Sequence, residues 1–143
     1  MVDRFEDLNA WKTVRELTRL IFELTEKPEF SRDYSLKDQI RRASVSAMSD
    51  IAEGFESRTQ GLFVDLLGRA KGSAAEVRSD LYVALDRQYI SNEEFGAAYD
   101  LADKAARQIA NLMAYLESTP RPRRTRKLCG TRATRNAERS TVE

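Results

Sequence analysis

The 143-residue chain contains no histidine, and this absence excludes more chemistry than any other feature of its composition. Ser-His-Asp and Cys-His catalytic sites need an imidazole base, and haem sites and the di-iron sites of helix bundles need imidazole ligands. The one cysteine, Cys129, can form no disulfide within the chain and no cysteine zinc site, which needs several ligands. The composition therefore predicts no catalytic residue, no metal and no cofactor, and its scarcity of cysteine is typical of a cytoplasmic protein.

Long hydrophobic runs are also missing. No stretch approaches the roughly 20 apolar residues needed to cross a bilayer, and the segment from Met1 to Asp7 is too polar for a signal peptide. Neither membrane insertion nor secretion is expected. With 41% apolar and 33% charged residues, the chain has the composition and the length of a single folded domain.

The net charge of +1 conceals two regions of opposite sign. Residues 1–117 hold 16 Lys and Arg against 21 Asp and Glu, a net charge of −5, whereas residues 118–143 hold 8 against 2, a net charge of +6. Pro120 and Pro122 lie at the boundary and stop a helix, because proline lacks the amide proton. The sequence thus predicts a folded body, residues 1–118, and a disordered Arg-rich tail, residues 119–143.

Apolar residues recur at helical spacing in four segments, and none shows the period-two alternation of a strand. The predicted helices run from Leu8 to Leu24, from Ser35 to between Gly54 and Arg58, from Phe63 to Leu85, and from Ser91 to the tail boundary. Ser35-x-x-Asp38 and Ser91-x-x-Glu94 serve as start signals, and Lys27–Glu29 forms a loop. Short connections between successive helices favour an all-α, antiparallel up-down four-helix bundle.

Two helices carry apolar side chains or small residues on a second face, in addition to the face that one core would bury. The first helix carries a second apolar row, and the third carries a strip of small residues opposite its core stripe, where each helical glycine costs about 1 kcal/mol relative to alanine. Large apolar patches are rarely left exposed, so these surfaces predict a homo-oligomer. The predicted interface residues are Trp11, Phe22, Gly68, Gly72 and Ala75.

Polar side chains follow the apolar stripe of the second helix at steps of three and four residues. They are Gln39, Arg42, Ser46, Asp50 and Glu53, with Arg41 next to them. One interpretation is a binding surface in which Arg41 and Arg42 pair with phosphates, a geometry that suits guanidinium groups. The other is a packing network that bonds to neighbouring helices or subunits and fixes their register.

The sequence resembles a known family in four segments. The longest runs from Gln39 to Gly54, and the others are residues 5–11, 70–73 and 88–90. The segment 39–54 strongly resembles the signature of bacterial proteins encoded by intervening sequences in 23S ribosomal RNA genes, the S23 family. The family pattern usually has proline at the position of Met48 and asparagine at that of Asp50. The resemblance implies a four-helix bundle, a ring-like homopentamer, no enzymatic activity and association with RNA. A related branch serves as an accessory subunit of reverse transcriptases in diversity-generating retroelements.

The tail carries cations without any aromatic residue between them. They are Arg121, Arg123, Arg124, Arg126, Lys127, Arg132, Arg135 and Arg139. Such a segment can bind RNA phosphates without base selectivity, or it is a solvated extension, or it folds back onto the acidic body. Two functions therefore remain open: an RNA-associated oligomer, and a protein-interaction scaffold or accessory subunit with no direct nucleic-acid role. No small-molecule substrate is indicated.

Overall fold

A computed structural model describes residues 2–118, and this part of the chain is helical throughout, without strands. A short 3-10 helix, Phe5–Asp7, precedes five α-helices. These are α1 (Asn9–Leu24), α2 (Pro28–Arg32), α3 (Tyr34–Glu56), α4 (Gln60–Asp86) and α5 (Asn92–Ser118). The predicted all-α bundle is confirmed, with α1, α3, α4 and α5 as its four long helices.

The four long helices form a square in which neighbours are antiparallel. Helix α1 contacts α3 and α5, and α4 contacts the same two, so α1 and α4 lie on a diagonal. The Gln39 amide near the start of α3 donates to Asp80 near the end of α4, and the Gln60 amide at the start of α4 donates to the Leu116 carbonyl at the end of α5. These bonds between opposite helix ends fix the up-down topology.

The core runs the length of the square and consists of the predicted apolar stripes. At one end it includes Leu8, Phe55, Phe63 and Leu116, and at the other it closes around the fully buried Phe30. Each buried aliphatic side chain contributes roughly 1.5 to 3 kcal/mol through the hydrophobic effect. No helix in residues 2–118 combines the length and apolarity that a membrane span requires.

Two local predictions between α1 and α3 are wrong. The loop expected at Lys27–Glu29 contains instead the start of α2, whose first residue is Pro28, a position where proline has the right φ and needs no amide partner. Helix α3 begins at Tyr34 because Asp33, rather than the Ser35-x-x-Asp38 signal, caps it: its carboxylate accepts from the Leu36 amide at 3.1 Å. Phe30 of α2 stacks on Tyr89, which explains why the extra turn forms.

The other predicted start signal is confirmed. The Ser91 hydroxyl accepts from the Glu94 amide at 3.0 Å, and the Glu94 carboxylate accepts from the Ser91 amide at 2.9 Å. Lys27, which directly precedes α2, also donates to Glu94 at 2.6 Å and so ties the start of α2 to the start of α5. These bonds lower the pKa of Glu94, the lysine bond contributing most.

Candidate interaction surfaces

The polar row of the family signature faces α4 over most of its length. Gln39 Nε2 donates to Asp80 Oδ1 at 2.8 Å, and Asp50 is only 5% exposed. Ser46 is half-buried and lines an open groove together with Ser73 and Glu76 of α4. At these positions the row fits the packing interpretation, because its members lie in the seam between α3 and α4.

Two buried carboxyl groups lie in this α3–α4 seam. Burial raises the pKa of Asp80; the hydrogen bond from Gln39 opposes the shift and the nearby charge of Glu76 adds to it. Burial likewise raises the pKa of Asp50, against the attraction of Arg69 and with the repulsion of Glu53. The second carboxyl oxygen of Asp80 is buried and has no hydrogen-bond partner. Burial without full compensation disfavours the charged form of a carboxyl group, which is the direction of both shifts.

The two neighbouring arginines of the signature have different surroundings. Arg42 is exposed and bonds to Asp38 one turn earlier on α3. Arg41 lies on the other side of α3 and outside the row. Its Nε donates to the buried Thr25 hydroxyl at 2.7 Å, and its guanidinium lies 4.3 Å from the centre of the Phe22 ring.

Arg41 therefore holds the end of α1 from the flank of α3. It also donates to the Phe22 carbonyl at 3.5 Å and lies 4.0 Å from the Glu26 carboxylate. A cation at a helix C-terminus satisfies the last carbonyls and interacts favourably with the helix dipole. These intramolecular partners occupy the group that the binding interpretation assigned to phosphate.

The second apolar row of α1 lies beside α3 and is half-buried. We call the surface formed by Trp11, Phe22, Val45 and Met48 the α1–α3 face. The Phe5 ring packs edge-on against Trp11 with 5.3 Å between ring centres, and Arg15 lies 5.7 Å from the same ring. An open groove beside Phe22 and Met48 is lined further by Arg15, Arg19 and Glu23.

The predicted small-residue strip on α4 divides into two parts. Gly72 and Ala75 are exposed, and a Cβ added to Gly72 would meet no atom within 4 Å. Gly68, expected opposite the core, is instead half-buried, and a Cβ there would lie 3.7 Å from Met113 of α5. We call Gly68, Gly72 and Ala75 the α4 strip.

Sequence reasoning missed an aromatic cluster beyond this strip. Tyr82 of α4 packs on Phe95 and Tyr99 of α5, with 4.9 and 5.8 Å between ring centres, yet half of its surface is exposed. Tyr82 lies seven residues after Ala75, so the same heptad spacing that relates Gly68 to Ala75 could have found it.

No group of three or more metal-ligating side chains occurs within residues 2–118. The predicted RNA-binding cations, from Arg121 to Arg139, all lie outside the described residues. Their assignment stays a prediction from the sequence.

Comparison with known proteins agrees with the resemblance found in the sequence. A family model described as "23S rRNA-intervening sequence protein" matches residues 6–111. No curated protein matches the chain. A solved structure of a protein of unknown function, from the S23 ribosomal protein family of Bacteroides thetaiotaomicron, is similar with a TM-score of 0.67 and 16% identity. The match covers 73% of this chain and 97% of that one, and at this identity it shows the fold alone.

Proposed function

Because the chain belongs to the 23S rRNA-intervening sequence protein family, we propose that it is a cytoplasmic, non-catalytic homo-oligomer that associates with RNA through residues 119–143. Five copies is the number that the family resemblance implies. The eight cations of the C-terminal segment support the choice of RNA as partner, because they can pair with phosphates. A ring that carries several such segments would bind one polyanion with an avidity far above the affinity of each.

The observation that carries the oligomer is the unexplained glycine in the middle of α4. Gly72 costs about 1 kcal/mol relative to alanine in a helix interior, and no atom of its own subunit lies where its Cβ would be. Close approach of another helix would account for a glycine at this position. The exposed Val83 and Tyr82 extend the apolar surface of the same helix.

The two candidate faces lie on opposite sides of the bundle. The α1–α3 face is on the side where α1 meets α3, and the α4 strip is on the side where α4 meets α5. A contact between two different faces repeats from copy to copy, and it closes into a ring when the rotation allows. This arrangement supports a cyclic assembly rather than a two-fold dimer.

Light scattering of two matched glycine variants tests the oligomer. Gly72→Arg is expected to reduce the particle mass from about five times the 16.3 kDa chain towards that of one chain. Gly96→Arg is the control, because Gly96 is also helical and also has no atom within 4 Å of an added Cβ. A wild-type protein that stays single, or a Gly72→Arg protein that keeps its mass, would refute the interface.

Neutralising the first five cations of the C-terminal segment tests the RNA contact. We expect the full-length protein with Arg121, Arg123, Arg124, Arg126 and Lys127 changed to glutamine to lose RNA at low salt. The slope of log affinity against log salt should fall by about 0.7 for each lost phosphate contact to a single strand. The control replaces five exposed body cations, Arg19, Arg58, Lys71, Arg87 and Lys104. Equal RNA retention by both variants and the wild type would reject the tail mechanism.

A second candidate function is a scaffold or accessory subunit, for example of a reverse transcriptase, without direct contact to nucleic acid. The half-exposed Tyr82, which packs on the partly buried Phe95 and Tyr99, favours it, since aromatic anchors dominate protein interfaces. A pull-down from nuclease-treated lysate should then recover one stoichiometric protein that a Tyr82→Ser variant loses. Recovery of RNA alone from untreated lysate would count against this function.

A further inference from the structure

One end of the bundle is acidic and is also the end from which the C-terminal segment leaves. Helices α1 and α4 begin there and α3 and α5 end there, as the bond from Gln60 to the Leu116 carbonyl and the contacts around Leu8, Phe55 and Phe63 show. We call residues 2–14, 51–65 and 113–118 the tail-proximal end.

The tail-proximal end holds seven carboxylates against three cations. Of the three cations, Arg4 is already engaged, with its Nε 3.5 Å from Asp7 and 4.0 Å from Glu6. Asp3, Glu53 and Asp65 are exposed and have no ion-pair partner in the described chain. Neither α3 nor α5 has a basic residue in its last turn, where a cation would be stabilising.

The segment that starts at Thr119 has the complementary charge, with eight cations against two carboxylates. Its first five cations fall between residues 121 and 127, so an extended chain carries them about 10 to 30 Å from Ser118. Neighbouring helices in a bundle are about 8 to 10 Å apart. The first cations can therefore reach every helix terminus at this end.

Distance distinguishes this end from the other. Segments 19–39 and 81–97 at the far end also carry more acid than base, eight carboxylates against five cations. However, α5 is 27 residues long and so places the far end about 40 Å away. A chain of 25 residues with the average dimensions of a flexible linker would span about 25 to 30 Å. At that length the tail-proximal end would meet a higher local concentration of the cations than the far end.

We propose that the tail-proximal end binds the basic segment 119–143 of its own chain. The contact is electrostatic and is weakened by salt, since it joins solvent-exposed charges. The same cations serve the proposed RNA association, so RNA and the acidic end compete for them, and docking restrains RNA binding at low salt. The contact itself does not rest on the proposed function, because it requires no RNA.

The single cysteine makes the contact measurable in the full-length protein without RNA. A nitroxide spin label on Cys129 lies eleven residues after Ser118 and within the basic run. At low salt we expect it to broaden the backbone amide signals of residues 2–14 and 51–65 at least twofold more than those of the far end. The difference should disappear at about 1 M salt, where the Debye length is about 3 Å. Equal broadening at both ends at low salt would overturn the proposal.

Matched charge variants identify the surface. Asp3→Asn with Glu53→Gln and Asp65→Asn should abolish the excess broadening, whereas the control Glu29→Gln with Asp86→Asn and Asp100→Asn should keep it. The first variant should also bind a single-stranded RNA about threefold more tightly than the control, because competition is lost. Loss of the excess broadening in both variants would contradict the proposed surface.

A mixed sample distinguishes contact with the chain's own C-terminal segment from contact with the segment of a neighbouring copy. Isotope-labelled Cys129→Ala protein is combined with spin-labelled protein of natural isotope content and allowed to exchange subunits. Contact within one chain predicts no excess broadening in the mixture, and the full effect there would overturn the assignment to the same chain. Failure of RNA binding with the broadening intact would refute the proposed function and leave this contact standing.

Discussion

Helix α3 packs against α4 and against α1 in different ways. The difference shows which of its residues hold the subunit together and which lie at its surface. Its seam with α4 is polar, with a groove open beside Ser46 and a close contact at Gly54. An added Cβ on Gly54 would lie 2.8 Å from the Phe63 ring, and the Gln39–Asp80 bond and the buried Asp50 lie along the same seam. The groove in its seam with α1 is lined by larger side chains, among them Phe22 and Met48.

The polar groups of the two seams have different tasks. Buried polar atoms in the α3–α4 seam specify which positions meet, because misaligned partners would remain unsatisfied. In the α1–α3 seam Arg41 bonds to the end of α1 and covers Phe22, while Trp11 and Val45 stay partly accessible. Several signature residues of α3 thus bond within the subunit, while the α1–α3 face, like the α4 strip, stays partly accessible.

The largest effect is expected where α3 and α4 approach most closely, at Gly54. Gly54→Val forces a Cβ into the Phe63 ring and to 3.3 Å from the Leu66 Cβ, where both side chains are held by neighbours. Overpacking of this kind costs about 1 to 3 kcal/mol, and valine recovers only a few tenths through helix propensity. We expect urea denaturation to show a loss of about 2 kcal/mol.

The same substitution at an open position is the control. A Cβ added to Gly96 meets no atom within 4 Å, so Gly96→Val should change the unfolding free energy by less than about 0.5 kcal/mol. If both variants lose equal stability, the close approach of α3 and α4 is not the reason for the glycine at position 54.

A second prediction compares the two arginines that follow each other on α3. Arg41→Ala leaves the buried Thr25 hydroxyl with one partner fewer and removes a cation from the end of α1, so it should cost about 2 kcal/mol. Arg42→Ala removes one exposed pair with Asp38 and should cost at most about 0.5 kcal/mol. Thermal unfolding of both variants measures the difference, and equal losses would show that Arg41 does not hold α1.

Much of this contrast was accessible from the sequence. Helical spacing predicted the four long helices and the side of α3 that carries Gln39 and Asp50. Such spacing can be recognised in the sequence without knowing which helix packs against it. The position of Arg41 was accessible too. At 100° per residue it lies 200° from Gln39, so the two cannot belong to one row.

Other features depend on contacts that a single sequence does not display. The turn of α2 forms because Phe30 stacks on Tyr89, which lies 59 residues later in the sequence. The end of α4 lacks the usual glycine signal, since Gln88 itself adopts the left-handed conformation with φ of 65° while the Tyr89 amide bonds to the Ala84 carbonyl. Gly68 was misplaced because Met113 reaches it from α5.

The smallest expected effect concerns Asp80, one of the two buried carboxyl groups of the α3–α4 seam. Burial raises the pKa of Asp80 above its value in the unfolded chain, so its ionisation opposes folding. The wild type should therefore lose stability as the pH rises from the ordinary Asp range, about 4, towards neutrality. Asp80→Asn keeps an oxygen for the Gln39 amide and removes the charge. We expect the variant to equal the wild type near pH 3 and to exceed it at pH 7 by the order of 1 kcal/mol, the scale of one unsatisfied buried polar group.

Denaturation of both proteins across this pH range measures the difference directly. Asp86→Asn on the same helix is the control, because Asp86 is exposed and its neutralisation relieves no burial. A variant that is less stable than the wild type at pH 7 would mean that the Asp80 charge is compensated within the seam. The α3–α4 seam would then tolerate a buried charge, and in this respect it would not differ from the α1–α3 seam, where the charged Arg41 is partnered.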